Sequence, residues 1–382
     1  MTTITSGPCT ISIVNPPSSL LGEAAALLSS GEWLNMNTGD IYNAAGSVVS
    51  NVGTGYKPGN MTIFVGGGGA GVRMGYMSKG DWNDAGGTHG LGAVYIFCGN
   101  ENEALQHCMM DEYTNSWTDI GVPDHVQANY PGNPDFHSWE HVSFDHTRHQ
   151  LWHRPYHGNT FWLWSGSGTS WTQYPFNYSS LAGYLPSISS TTYHAGLDAL
   201  LACQASNDPN GQLMQFPASG SGNGSNLSTT MNGILSSEAS CFCQYNRQSS
   251  WSFMGMDTTY FLMSPSNVIT GPFSLPGGFQ GGLGTTNRQG IPITGTDGNF
   301  YGICAGSDAW WKLIPSTNTW TQMTSLPPFV TNYYTDGTNG DQWRTFGSCC
   351  TPIWTYGVTL LMKGWNATYN STNNPEAWLY KP

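Results

Sequence analysis

Six of the chain's ten histidines, His137, His141, His146, His149, His153 and His157, fall between residues 137 and 157. Imidazole is a good ligand for transition metals, so this is the first place to look for a metal centre. The intervening residues argue against one. Trp152 and His153, and Phe161 to Trp164, have strand character and are separated by turn residues. Successive side chains on a strand point to opposite faces, so the six imidazoles cannot converge on one ion. His149 and His153 share a face only where the strand is unbroken. The expectation is no metal, and histidines that serve the surface or the core.

Other chemistry is equally sparse. Cys241 with Cys243, and Cys349 with Cys350, lack the spacing of a zinc knuckle, and Cys98, Cys203 and Cys304 fall in apolar runs where a thiol acts as a small hydrophobe. The glycine run from Gly66 to Gly71 is not followed by the Gly-Lys-Ser/Thr that opens a phosphate-binding helix. Acidic residues are too scattered to nominate a catalytic pair. With 11 Lys plus Arg and a net charge of −12, the chain has no basic footprint for nucleic acid. It also has no apolar run long enough to span a bilayer. No catalytic residue and no cofactor is therefore expected.

What the chain does carry is a repeated scaffold. Leu313 to Met323 is an apolar strand, a polar turn and a second strand opened by Trp320-Thr321. The same layout recurs at Met110 to Thr118 around Trp117 and at Leu163 to Thr172 around Trp171. Trp117 and Trp171 are 54 residues apart, and Trp171 and Trp320 are 149 apart, close to three further steps of about 50. Degenerate copies are expected at Gln212 to Pro217 and Asn267 to Leu275. The last residues, Glu376 to Pro382, read as a first strand without its partner, and Ser29 to Met36 reads as the missing second half, with Trp33 in the aromatic place. The two ends complete one blade, which closes a ring and removes its open edges.

The predicted fold class is all-β: a single β-propeller over residues 29–382, with six blades, or seven should the long first segment hold another. The blades are expected near 50–122, 130–176, 180–230, 235–276, 285–328 and 340–382. Residues 1–28 form an N-terminal arm, with a short strand at Thr10 to Val14 and a helix from Ser18 to Leu28 opened by a capping serine. That arm is either a docking element or a plug under the ring. The polar run Ser219 to Ser228 reads as an exposed loop.

The glycine-ended strands and the Asn-x-Trp-Thr turns resemble kelch repeats of the kind found in the central domain of galactose oxidase. That resemblance implies a propeller but not an activity. The copper site of such oxidases, with a Tyr linked to a Cys, cannot be assigned to any segment. Thr296-Asp297-Gly298 is similar to part of a sialidase Asp box, but Asn299-Phe300 replaces its Thr-Trp. The three converging arginines of those enzymes would have to come from Arg73, Arg148, Arg154, Arg247, Arg288 and Arg344.

A composition rich in Asn, Ser, Thr and Gly but poor in Lys suits life outside cells, yet Met1 to Cys9 shows no export signal. The chain thereby resembles propeller-bearing bacteriophage virion proteins of the capsid decoration or tail. The resemblance implies a non-enzymatic structural or receptor-binding role, with other virion proteins gripped by the arm and host-surface glycans bound by the ring. It implies no membrane insertion. Exposed aromatics suit sugars, whose faces stack on rings. Tyr130, Tyr333, Tyr334, Trp343 and Trp365 lie in polar loops and are the candidate ligand-binding residues. The alternative is a secreted carbohydrate-binding or oxidase-like propeller, with glycans on Asn60, Asn177, Asn223, Asn226, Asn366 and Asn370.

Overall fold

The computed structural model describes residues 2–6, 9–13, 19–58, 79–100, 103–121, 142–154, 161–174, 189–204, 213–220, 224–228, 241–256, 259–276, 290–304, 309–323, 348–363 and 376–382. The chain begins with a hairpin of β1 (Thr2–Ser6) and β2 (Cys9–Ile13), followed by helix α1 (Leu20–Ala26). Next come β3 (Trp33–Asn35), β4 (Asp40–Tyr42) and β5 (Val48–Asn51), which belong to the last blade. Blade one is β6 (Lys79–Asn83), β7 (Ala93–Asn100), β8 (Glu103–Asp111) and β9 (Ser116–Asp119). Blade two is β10 (Val142–Asp145), β11 (Gln150–His153), β12 (Phe161–Trp164) and β13 (Thr172–Tyr174). Blade three is β14 (Ser189–His194), β15 (Ala199–Gln204), β16 (Leu213–Pro217) and β17 (Ser225–Ser228). Blade four is β18 (Cys241–Tyr245), β19 (Ser252–Met256), β20 (Thr259–Met263) and β21 (Ile269–Ser274). Blade five is β22 (Gly290–Thr294), β23 (Phe300–Cys304), β24 (Ala309–Ile314) and β25 (Thr319–Gln322). Blade six is β26 (Ser348–Ile353), β27 (Val358–Lys363) and β28 (Glu376–Tyr380), completed by β3, β4 and β5.

The first strands β6, β10, β14, β18, β22 and β26 follow one another around the axis, each packed on the next, and β26 returns to β6. The result is a six-bladed propeller. Its closure is the one expected from the two termini: Tyr380 pairs with Trp33, Leu379 with Leu34 and Trp378 with Asn35. Trp117 and Trp320 lie in the fourth strands of their blades and Trp171 immediately precedes one, as the repeat predicts. Two extensions of the expected scheme appear. A β1 strand pairs with the predicted β2, and β4 and β5 widen the closing sheet to six strands.

Both faces of the blades are buried against their neighbours, so central strands read as unbroken apolar runs. Trp162 and Trp164 pack with Tyr95 of blade one, whereas Phe161 and Leu163, one step along, pack with Tyr193 and Phe216 of blade three. Leu360 and Met362 likewise meet Trp82 and Val94 of blade one, and Leu361 meets Trp310 of blade five.

One cassette was misplaced by the sequence. In blade three the fourth strand is β17, within the stretch expected to be a loop, and Gln212 to Pro217 covers the third strand. The physical reason is that β17 is polar, with Ser225 and Asn226 exposed, so it carries no apolar period. The first strand β6 is similarly inconspicuous, and Thr62 to Val65 and the glycine run lie outside the described residues.

Candidate functional site

Because the six inner strands run parallel, the turns that follow them gather at one end of the axis. The hairpin turns between third and fourth strands lie at that same end. These turns share a local chemistry. A side-chain acceptor at the first position takes backbone N–H groups two and three residues on, and a residue at positive φ ends the turn. Asp145 accepts from Thr147 and Arg148, with His149 at φ 54°; Asn246 accepts from Gln248 and Ser249, with Ser250 at φ 59°. In blade three His194 takes the acceptor's place, its Nδ1 receiving the N–H of Leu197 at 3.1 Å.

Residues just past the inner strands meet across the axis. Arg247 of blade four donates through Nη1 to His146 Nδ1 of blade two at 3.1 Å, and its Nη2 lies 3.4 Å from Asp84 Oδ2 of blade one. The guanidinium sits 5.8 Å from the ring centroid of Trp354 in blade six. Since His146 accepts at Nδ1, its proton is on Nε2, which faces Asp81 Oδ1 at 3.4 Å. Asp81 Oδ2 in turn accepts the N–H of Phe144. His149 Nδ1 meets Asn83 Oδ1 at 2.9 Å. The network joins four blades, and its one guanidinium lies between an imidazole, a carboxylate and an indole. It can hold charge at the axis and bond hydroxyl or carboxylate groups, but it contains no nucleophile with its base.

The described members of the histidine cluster have three destinations. His146 joins the axial network, His149 bonds Asn83, and His153 is buried with its Nδ1 2.8 Å from Nε2 of His107, both rings lying against Trp171. His137, His141 and His157 lie outside the described residues. Among the described residues no three His, Cys, Asp or Glu side chains are grouped to hold a metal. Cys108 is a buried free thiol, and burial pushes it up to about 12, so it is not a reactive thiolate.

Blades two and three are clamped by Arg148, which donates to Asp145 at 2.8 Å and to both oxygens of Asp198 at 2.7 and 2.6 Å. The hydrogen bonds from Arg148, joined by one from Tyr193 Oη at 3.0 Å, hold the Asp198 carboxyl below the usual carboxylate range. Asp198 is open to water but Asp145 is fully buried, so Arg148→Met, which leaves that carboxylate without its cation, is expected to cost about 3 kcal/mol in urea unfolding, with only the Asp198 share weakened by salt.

All five predicted ligand-binding residues lie outside the described residues. The strands that bracket them do not. Tyr130 falls between β9 and β10, Tyr333, Tyr334 and Trp343 between β25 and β26, and Trp365 between β27 and β28. All three connections leave their sheets at the end opposite the short turns. The sequence reading missed the axial set of Asp84, His146, Arg247 and Trp354 as a group. Its signal is positional: each stands one or two residues beyond the end of an inner strand.

No protein-family model matches the chain, and no curated protein matches it in sequence. Solved structures do match in shape. One is a chain of the nidogen/laminin complex, 11% identical, with a TM-score of 0.44 over 76% of this chain and 91% of that one. Another is a protein of unknown function from Bacteroides thetaiotaomicron, 11% identical, with a TM-score of 0.47 over 80% of this chain and 70% of that one.

Proposed function

We propose that this propeller, kelch-like in its repeats, is a non-enzymatic component of a bacteriophage particle, a capsid-decoration or tail protein. It is held to other virion proteins through its N-terminal arm and binds host-surface glycans at the opposite end. The observation that carries the reading is the polarity of the ring. Helix α1 is fixed at the turn end, where Ser19 bonds Glu112 and Tyr356 and where Lys381 Nζ donates to the carbonyls of Ala25, in the last turn of the helix, and Leu28, just beyond it, at 3.2 and 2.8 Å. The long connections between blades, 323–347 among them, leave from the other end. In this reading the arm anchors at the turn end and the long connections display their aromatics at the other. The low Lys content and the net charge of −12 suit a soluble particle surface.

Two measurements test this. The chain should co-sediment with nucleic-acid-containing particles in its native source material; recovery only as free protein at the top of the gradient would sink the virion reading. On a glycan array, Trp343→Ala and Trp365→Ala should each weaken the wild-type signal by about tenfold or more, the loss of about 1–3 kcal/mol expected for one stacking aromatic. A wild-type protein that binds no glycan would remove the ligand but leave the particle role to the gradient.

A further inference from the structure

Each blade leaves its outer strand as an edge, but among the described residues two edges stand apart, one on an isolated hairpin and one on the outer strand that exposes large apolar side chains, and the two are not paired with each other. The first belongs to the β1–β2 hairpin, which pairs with no third strand among the described residues. A two-stranded hairpin alone is marginal in water. Its register sets Thr2 opposite Ile13, Ile4 opposite Ile11 and Ser6 opposite Cys9. The second edge is β5, the outermost strand of the closing sheet. It pairs with β4 alone, and its four residues are all exposed, Val48 by 54% and Val49 by 51%. β5 has no Lys, Pro or other charge of the kind that shields natural edges. Nor does any charged side chain occur from Thr2 to Gly22. Between bodies of net charge −12, these are surfaces that two copies can bring together without opposing carboxylates.

We propose that the β1–β2 hairpin of one copy adds to the β5 edge of a second copy, extending its six-stranded sheet by backbone hydrogen bonds. Each copy offers one hairpin and one edge. This inference rests on reading the N-terminal arm as a docking element, and it makes the chain itself the arm's partner.

Sedimentation velocity of the full-length protein tests it with two full-length variants. One is Val48→Lys with Val49→Lys, at exposed positions where the fold tolerates change. The other is Ile4→Lys with Ile11→Lys. Wild type should sediment at no less than twice the 41.3 kDa of one chain. Each variant alone should associate about tenfold more weakly or less. Their equimolar mixture should recover pairs, because it contains one intact hairpin and one intact edge. A wild-type protein that stays a single chain at about 100 μM overturns the inference; should that protein still co-sediment with particles, the arm reading survives without it. Association that persists in both variants, or a mixture that recovers nothing, overturns it as well.

Discussion

Trp33→Ala is expected to lower the stability of the ring by about 3–5 kcal/mol, the range for removing a large aromatic from a closed core. Trp33 is 1% exposed. Its ring stacks on Tyr380 with centroids 4.2 Å apart and meets the edge of Trp310 at 5.6 Å, so one side chain ties β3 to β28 and blade six to blade five. The strand that carries it has only three residues. Leu34, fully buried with Leu360 and Leu379, and the backbone ladders to β28 and β4 remain, so the closure is weakened rather than opened when the indole is gone. Against a total stability of about 5–15 kcal/mol, that loss is a large fraction. Trp117 occupies the corresponding place in blade one but is only partly buried, on a fourth strand whose neighbours are mostly exposed. Trp117→Ala should therefore cost about 1–2 kcal/mol. Urea unfolding of the two variants compares them directly. Equal losses would mean that the blade split between the termini is no more critical than any other.

That contrast also shows what the residues disclosed. The repeat was legible because the β8–β9 and β24–β25 hairpins use one turn, with Asn115 and Asn318 at positive φ before the Trp-Thr of the next strand. The split blade was legible because Glu376–Tyr380 lacked a partner that Trp33 could supply. Strands β6 and β17 were not, since Lys79–Asn83 and Ser225–Ser228 are largely polar and the ring, not their own period, sets them in place. Strands β4 and β5 were missed for a related reason: β5 is exposed throughout, so no buried face marks it. The axial network was hidden by distance. Asp84, His146, Arg247 and Trp354 are far apart in sequence and come together only through six-fold closure. Aligned on the ends of their inner strands, they would have stood out.

The pH dependence of stability should contain two large and opposed contributions, from Glu112 and His194. Glu112 is buried at the N-terminus of α1, where Oε1 accepts from Ser19 Oγ, from Leu21 N–H at 2.7 Å and from Gly22 N–H at 3.3 Å. Its Oε2 is buried with no hydrogen-bond partner among the described residues. Burial pushes the carboxyl up to about 7 despite those donors, and Asp111 adds to the rise. A carboxyl raised in the folded state contributes stability that is complete below its unfolded value of 4.5 and is lost as pH climbs through 7. His194 is the mirror case. Nδ1 is occupied by the Leu197 N–H, Nε2 is buried and unpartnered among the described residues, and burial brings the imidazole down to about 4. Its contribution is complete above 6.5 and is lost as pH falls towards 4. Each amounts to about 3 kcal/mol, so between 4.5 and 6.5 the two slopes oppose each other. Glu112→Gln keeps a carbonyl acceptor for the helix and removes the charge. Relative to wild type it should gain about 3 kcal/mol between pH 4.5 and pH 8. His194→Asn keeps an acceptor for Leu197, and relative to wild type it should gain a similar amount as pH falls from 6.5 to 4. Urea midpoints at about pH 4.5, 6 and 8 measure both differences. A wild-type-minus-variant difference that does not change with pH would show that the group titrates alike in folded and unfolded chains, and that its burial carries no penalty on charge.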